Sequence, residues 1–266
     1  MRISLLLLLL NFASYHTYAA TADTVSVYSP SMKKYIKNVV IKPDVLTKDM
    51  PSLLLLHGAG DSYSGWVSKV PAIKDLADQH GLVIICPDGG RTSWYFDSPL
   101  DSSMRYETYV AKELTSWANT NLPLSKDRNK RAIAGLSMGG HGAFYLAMNH
   151  PDQWGLIGSM SGGVDFRSFP DSWDIKKRIG SKTEYPENWE NYTVFNQTDK
   201  LKRNEYKIIF DCGTKDFFYP MNKAFHEKLL QEGIEHDYTE RPGAHNWNYW
   251  GNAINYQLLY FITQMK

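Results

Sequence analysis

The sequence predicts an α/β protein: a doubly wound, mostly parallel sheet with helices on both faces. Three observations carry that expectation. Short apolar runs recur along the chain, they do not alternate with polar residues, and segments of helical periodicity separate them. Leu53–Leu56, Leu82–Ile85, Ala132–Ala134 and Lys207–Phe210 each end in a loop of Gly, Pro or Asp, and Gly155–Met160 is a weaker fifth run. Continuous apolarity suits parallel strands that are covered on both faces. Alternation of such strands with helices suits a wound sheet, whose functional loops lie at the strands' carboxyl ends. A length of 266 residues fills one such domain, and no internal repeat or Pro- or Ser-rich linker divides it.

The elements follow in order. Met1-Arg2 and the unbroken apolar run Ile3–Leu10 precede small residues around Ala19 and Ala22, which reads as a secretory leader cleaved after one of the two. The apolar run is far shorter than the ~20 residues that span a bilayer, so no stable membrane insertion is expected. Residues 1–19 are therefore read as a signal peptide, 20–266 as one domain, and the site of action as secreted or periplasmic. Thr24–Tyr28 and Lys37–Ile41 read as an antiparallel opening pair. Helical spacing covers 106–119, 140–149 and 221–231, and Ile254, Leu258, Leu259, Phe261 and Ile262 mark a final amphipathic helix. Residues 166–202 fall out of step: polar and aromatic, without a clear strand, they read as an irregular insertion bordering the site, either a partial lid or a passive surface excursion.

Composition narrows the function. Lys plus Arg is 29 against 28 for Asp plus Glu, a net charge of +1, and no basic block occurs, so the footprint of a nucleic-acid binder is missing. Aromatics make up 14% of the chain, with 8 Trp and 17 Tyr, enough to furnish a stacking surface as well as a core. The two cysteines, Cys86 and Cys212, end apolar runs and read as buried thiols, with a bridge between them as the alternative; neither has zinc-site spacing. Neither a metal nor a cofactor is expected.

The sharpest motif is Gly135-Leu136-Ser137-Met138-Gly139, a G-x-S-x-G. Three fixed residues at ~7% each give about 0.1 chance matches in a chain this long, so the motif needs context. An apolar strand precedes it and a helix follows, the setting of a nucleophile elbow. The glycines let the chain turn where a Cβ would collide, and the helix start favours developing negative charge at Ser137. A serine hydroxyl needs a base. Of eight histidines, His245 lies in the loop Arg241–Trp247 between the last strand and the last helix, where the chain returns to the site. His141 reads as packing, and His57 as a brace of its own loop. The acid belongs between serine and histidine in this chain order. In Asp211-Cys212-Gly213-Thr214-Lys215-Asp216 the second aspartate lies beyond the turn, so Asp216 is the candidate and Asp211 a loop brace. An oxyanion needs two converging N–H groups: Met138, next to the serine, and Ala59, in the Gly-flanked loop His57–Gly60.

Leu53–Asp61, Pro87–Arg91, Gly135–Gly140, Asp211–Asp216 and Gly243–Trp247 together resemble the serine-esterase family of α/β hydrolases, the group with esterase D-like S-formylglutathione hydrolases, feruloyl and acetyl-xylan esterases, and mycolyltransferases. The resemblance spans the chain from about Val25 to the C-terminal helix. It implies the α/β-hydrolase fold, Ser137, Asp216 and His245 as triad, and Ala59 and Met138 as oxyanion donors. Trp94 and Tyr95 look similar to the stretch bordering the family's pocket, and Trp247 joins them as a candidate substrate contact. His57-Gly58 and Asp216 differ from the mycolyltransferase pattern, and a leader differs from the cytosolic hydrolases. The resemblance thus implies a secreted carbohydrate esterase whose partner is a small ester or an acylated oligo- or polysaccharide, with acetyl or feruloyl as the acyl group. An acyltransferase and a non-catalytic carbohydrate-binding protein are the alternatives.

Overall fold

The computed structural model describes residues 20–265; the expected leader, 1–19, lies outside them. Among the described residues there are eight strands, β1 (Thr21–Ser29), β2 (Lys34–Lys42), β3 (Ser52–Leu56), β4 (Val83–Pro87), β5 (Arg131–Leu136), β6 (Leu156–Met160), β7 (Lys207–Gly213) and β8 (Asp237–Arg241). They form one sheet in the order β1-β2-β4-β3-β5-β6-β7-β8. β2 runs antiparallel to both β1 and β4, and every other pairing is parallel.

The unbroken apolar strands are explained by two cores, one on each face. Successive residues of a strand point to opposite faces. Leu54, Leu56, Val83, Ile85 and Ile133 enter the core under the Met138–Asn149 and Tyr219–Gln231 helices. Their neighbours Leu53, Leu55, Ile84, Cys86, Ala132 and Ala134 enter the core under the Trp247–Gln264 helix. Eleven of the twelve residues of the Met138–Asn149 helix are buried, so its composition is apolar all round rather than striped.

Two expectations need correcting, and the reading of the two cysteines as buried thiols holds. The 166–202 segment is not irregular: it contains helices Ile175–Ile179 and Pro186–Asn191, a 3-10 turn at Val194–Asn196 and the start of helix Thr198–Asn204, with Ile175, Ile179, Trp189 and Val194 fully buried. Helices of five to seven residues are too short for periodicity to register. The helix expected over 106–119 is interrupted by a π-helical stretch, Tyr109–Leu114, and ends at Asn121. Cys86 and Cys212 are both free and buried. They lie on β4 and β7, four strand spacings apart, or ~19 Å at about 4.8 Å per step, which is beyond disulfide reach. Burial pushes the Cys86 thiol up to about 12.

Candidate active site

The candidate residues all come from loops at the carboxyl ends of the parallel strands. The sharp turn follows β5. Ser137 has φ +54° and ψ −118°, a left-handed conformation that costs a non-glycine residue roughly 1–3 kcal/mol. The flanking glycines permit it. A Cβ on Gly135 would lie 2.5 Å from the Gly139 backbone and 2.8 Å from Leu56 Cβ. One on Gly139 would lie 2.7 Å from the carbonyl oxygens of Leu56 and His57. The spacing G-x-S-x-G is thus set by three stretches of backbone crossing without room for side chains. Ser137 itself is held by Ser137 N–H donating to Met160 O (3.0 Å) and by Gly163 N–H donating to Ser137 O (3.1 Å).

The loops after β7 and β8 are laced together. Thr214 N–H donates to Arg241 O (2.9 Å) and Lys215 N–H to Gly243 O (2.8 Å), carrying the ladder past the strand ends. Gly213 allows that approach, since a Cβ there would meet Gly243 O at 2.5 Å. Asp216 and His245 therefore arrive side by side. Directly after His245, Asn246 caps the last helix, its side chain accepting from Tyr249 N–H.

The result is a hydrogen-bonded chain. Asp216 Oδ1 accepts from Phe218 N–H (2.8 Å) and Oδ2 accepts from His245 Nδ1–H (2.8 Å), while His245 Nε2 accepts from the Ser137 hydroxyl (2.9 Å). The Asp216 side chain is fully buried, whereas that of His245 is 15% exposed. Fixing the proton on Nδ1 leaves Nε2 free to take one from the serine. This constellation can perform acyl transfer.

The expected oxyanion donors border this chain. Gly58 packs against the elbow, a Cβ there lying 3.3 Å from Ser137 Cβ. Neither the Ala59 N–H nor the Met138 N–H finds an acceptor among the described residues, so both are free to bind an oxygen. The His57 loop is held rigidly: Nδ1–H donates to Gly58 O (2.8 Å) and Nε2 accepts from Gly89 N–H (2.9 Å). Burial lowers the His57 pKa. With Nε2 already an acceptor, the ring is neutral and braces the loop, and Asp88 at 3.9 Å is a neighbour rather than an ion-pair partner.

Trp94 and Tyr95 are corrected: neither offers a ring to a substrate. They are 1% and 0% exposed. Trp94 packs edge-on against His141 and Phe166, and the Tyr95 hydroxyl is engaged with the His57 backbone. Trp247 is half-buried, edge-on to Trp66 and Trp250. His141 is buried, donates from Nε2 to Tyr192 O (2.9 Å), and is pushed down to about 3 by desolvation. Asp211 is buried, accepts from Gln257 Nε2–H (2.8 Å), faces Arg241 at 3.3 Å, and is raised to about 6 by burial. Sequence reasoning passed over Phe217. It follows the acid directly, lies 4.2 Å from the His245 ring centre, and is 45% exposed. Its adjacency to Asp216 was the available signal.

Fold and site together define a serine hydrolase of the α/β class. Comparison with known proteins makes the class specific: the Esterase family model, described as "Putative esterase", matches residues 29–261. The chain belongs to this family and is a serine esterase. It is 25% identical over 258 residues to an acetyl esterase of Caldicellulosiruptor saccharolyticus, covering 86% of this chain and 94% of that one. It is 27% identical over 270 residues to the diacylglycerol acyltransferase/mycolyltransferase Ag85A of Mycobacterium tuberculosis, covering 88% and 78%. A solved structure of a ferulic acid esterase superposes with a TM-score of 0.78 at 26% identity, covering 93% and 99%. Membership of an enzyme family overturns the alternative of a non-catalytic binding protein. Among the described residues no helix is long and apolar enough to cross a membrane.

Proposed function

We propose that the protein is a secreted carboxylic-ester hydrolase acting through an acyl-enzyme on Ser137, with a carbohydrate carrying acetyl or feruloyl groups as its substrate. The observation that carries the reading is the hydrogen-bonded chain Ser137–His245–Asp216. Ser137 Oγ attacks the ester carbonyl while His245 Nε2 takes its proton. The N–H groups of Ala59 and Met138 receive the oxyanion, a pair in which each donor is worth roughly 3 kcal/mol of transition-state stabilisation. His245 then protonates the leaving alcohol. Water, deprotonated by the same nitrogen, attacks the acyl-enzyme, and the acid departs as Ser137 recovers its proton. Asp216 fixes the Nδ1–H tautomer and stabilises the imidazolium.

The acetyl and ferulic esterases among the similar proteins support the acyl groups named. The basic-then-apolar start of the chain supports export, and Trp247 remains the substrate contact proposed from the earlier set. A panel of acetylated xylan, methyl ferulate and short p-nitrophenyl esters tests the reading: turnover of the first or second above the third supports a carbohydrate esterase, and turnover of p-nitrophenyl esters alone contradicts it. The likeness to Ag85A favours one second reading, transfer to an alcohol acceptor instead of water. Acylated glycerol or sugar outweighing free acid among the products would establish it.

A further inference from the structure

Three rings surround the His245 imidazole: Phe217 at 4.2 Å, Trp250 at 4.8 Å and Phe218 at 5.6 Å between centres. Phe218 is fully buried and Trp250 is 7% exposed, whereas Phe217 is 45% exposed. Phe217 alone of the three presents a face to an incoming molecule. Trp173, from the 166–202 segment, backs it: the two rings are stacked, 5.7 Å apart and only 20° from parallel, a two-layer aromatic floor.

That floor is built, not incidental. Trp173 and Asp174 have φ values of +48° and +55°, two successive left-handed non-glycine residues, a conformation that persists only when its surroundings enforce it. Three hydrogen bonds enforce it. Trp94 Nε1–H donates to Trp173 O (3.2 Å), and the Thr92 hydroxyl donates to Asp174 Oδ2 (3.0 Å). Arg178 Nε–H donates to Thr92 O (3.1 Å). Trp94 and Tyr95, on the other side of this junction, are themselves left-handed at +57° and +62°. The two strained dipeptides meet through the Trp94–Trp173 hydrogen bond, next to the stacked Trp173 and Phe217 rings.

The side of the reaction this floor serves follows from the chemistry. The atom that receives a proton from His245 Nε2 is the ester's alcohol oxygen, which must come within about 3 Å of that nitrogen. A group attached to that oxygen therefore leaves past the rings that flank the imidazole. We infer that Phe217 and Trp173 are specificity-determining residues for the alcohol half of the ester, and that they select a six-membered ring with an apolar face, a sugar or an aryl alcohol, over an open-chain alcohol. The inference rests on the acyl-transfer reading above. It also assigns the 166–202 segment the role of supplying one wall of the site.

The test holds the acyl group constant and varies the alcohol: ethyl acetate, benzyl acetate and a mono-acetylated methyl xyloside. The readout is the ratio of kcat/KM for each ring ester to that for ethyl acetate. In Trp173→Ala and Phe217→Leu that ratio falls about tenfold, chiefly through KM, as expected for loss of one aromatic contact, and Trp173→Phe restores it. A fall with the xyloside alone identifies a sugar, and a fall with benzyl acetate alone identifies an aryl alcohol. Labelling of each variant by a small fluorophosphonate, whose leaving group is fluoride, verifies an intact triad. An unchanged ratio in both variants, with labelling intact, overturns this inference and leaves the esterase reading standing. Wild-type protein that turns over neither these acetates nor the corresponding ferulates overturns both.

Discussion

The Tyr95 hydroxyl binds both backbone groups of His57, accepting from its N–H at 3.0 Å and donating to its C=O at 3.1 Å. A single buried side chain, 38 residues away in sequence, thereby fixes the loop that presents the Ala59 N–H. Gly89 and Gly142 leave space for the ring, since a Cβ on either would lie 2.2 or 2.5 Å from it.

Tyr95→Phe keeps the ring and removes the clamp. It leaves a buried N–H and a buried C=O short of a partner, a loss of about 1–3 kcal/mol in stability. Because the loop proposed to bind the oxyanion loosens, kcat falls roughly tenfold or more while KM changes little. Steady-state kinetics beside a denaturant curve separates the two effects.

Asp216→Asn preserves shape but cannot hold His245 in the Nδ1–H tautomer, so kcat falls by about 10⁴. A loss below tenfold with p-nitrophenyl acetate would mean that another group orients the imidazole.

Gly139→Ala places a methyl 2.7 Å from two carbonyl oxygens of β3 and its loop. Neither is a flexible side-chain end, so the elbow must move. The expected cost is about 1–3 kcal/mol, with activity falling further than stability alone would require. Thermal unfolding and turnover at a temperature where the variant is fully folded provide the check.

His141 makes stability depend on acid. In the folded protein its pKa is pushed down to about 3 by burial, from an ordinary value of 6.5. The unfolded chain binds the proton first, so the folded state's advantage is complete above pH 6.5 and erodes as pH falls toward 3. At pH 4 the loss from this group is about 3 kcal/mol, at 1.36 kcal/mol per unit. Denaturant midpoints at pH 7, 5 and 4 should fall steeply for wild type and less steeply for His141→Gln.

The parts legible in the sequence were those in which one short stretch carries its own geometric reason. Gly135–Gly139 announces crossing backbones, and unbroken apolar runs announce strands with two covered faces. The order serine, aspartate, histidine follows from the winding of the sheet, which brought Ser137, Asp216 and His245 into one chain of hydrogen bonds. What stayed hidden depends on contacts between distant segments. Nothing local to Trp94 and Tyr95 reveals that both rings are sealed beneath the site, and nothing local to Trp173 reveals that it stacks on Phe217. The short helices of 175–204 owe their existence to tertiary packing of Ile175, Ile179 and Trp189, so their sequence shows no sustained period.

The most direct test of the account is the site of covalent capture. After reaction with a fluorophosphonate, peptide mass spectrometry should find one adduct, on Ser137, absent from Ser137→Ala and strongly slowed in His245→Ala. An unlabelled Ser137 in active wild-type protein, or an adduct on a different serine, would contradict it.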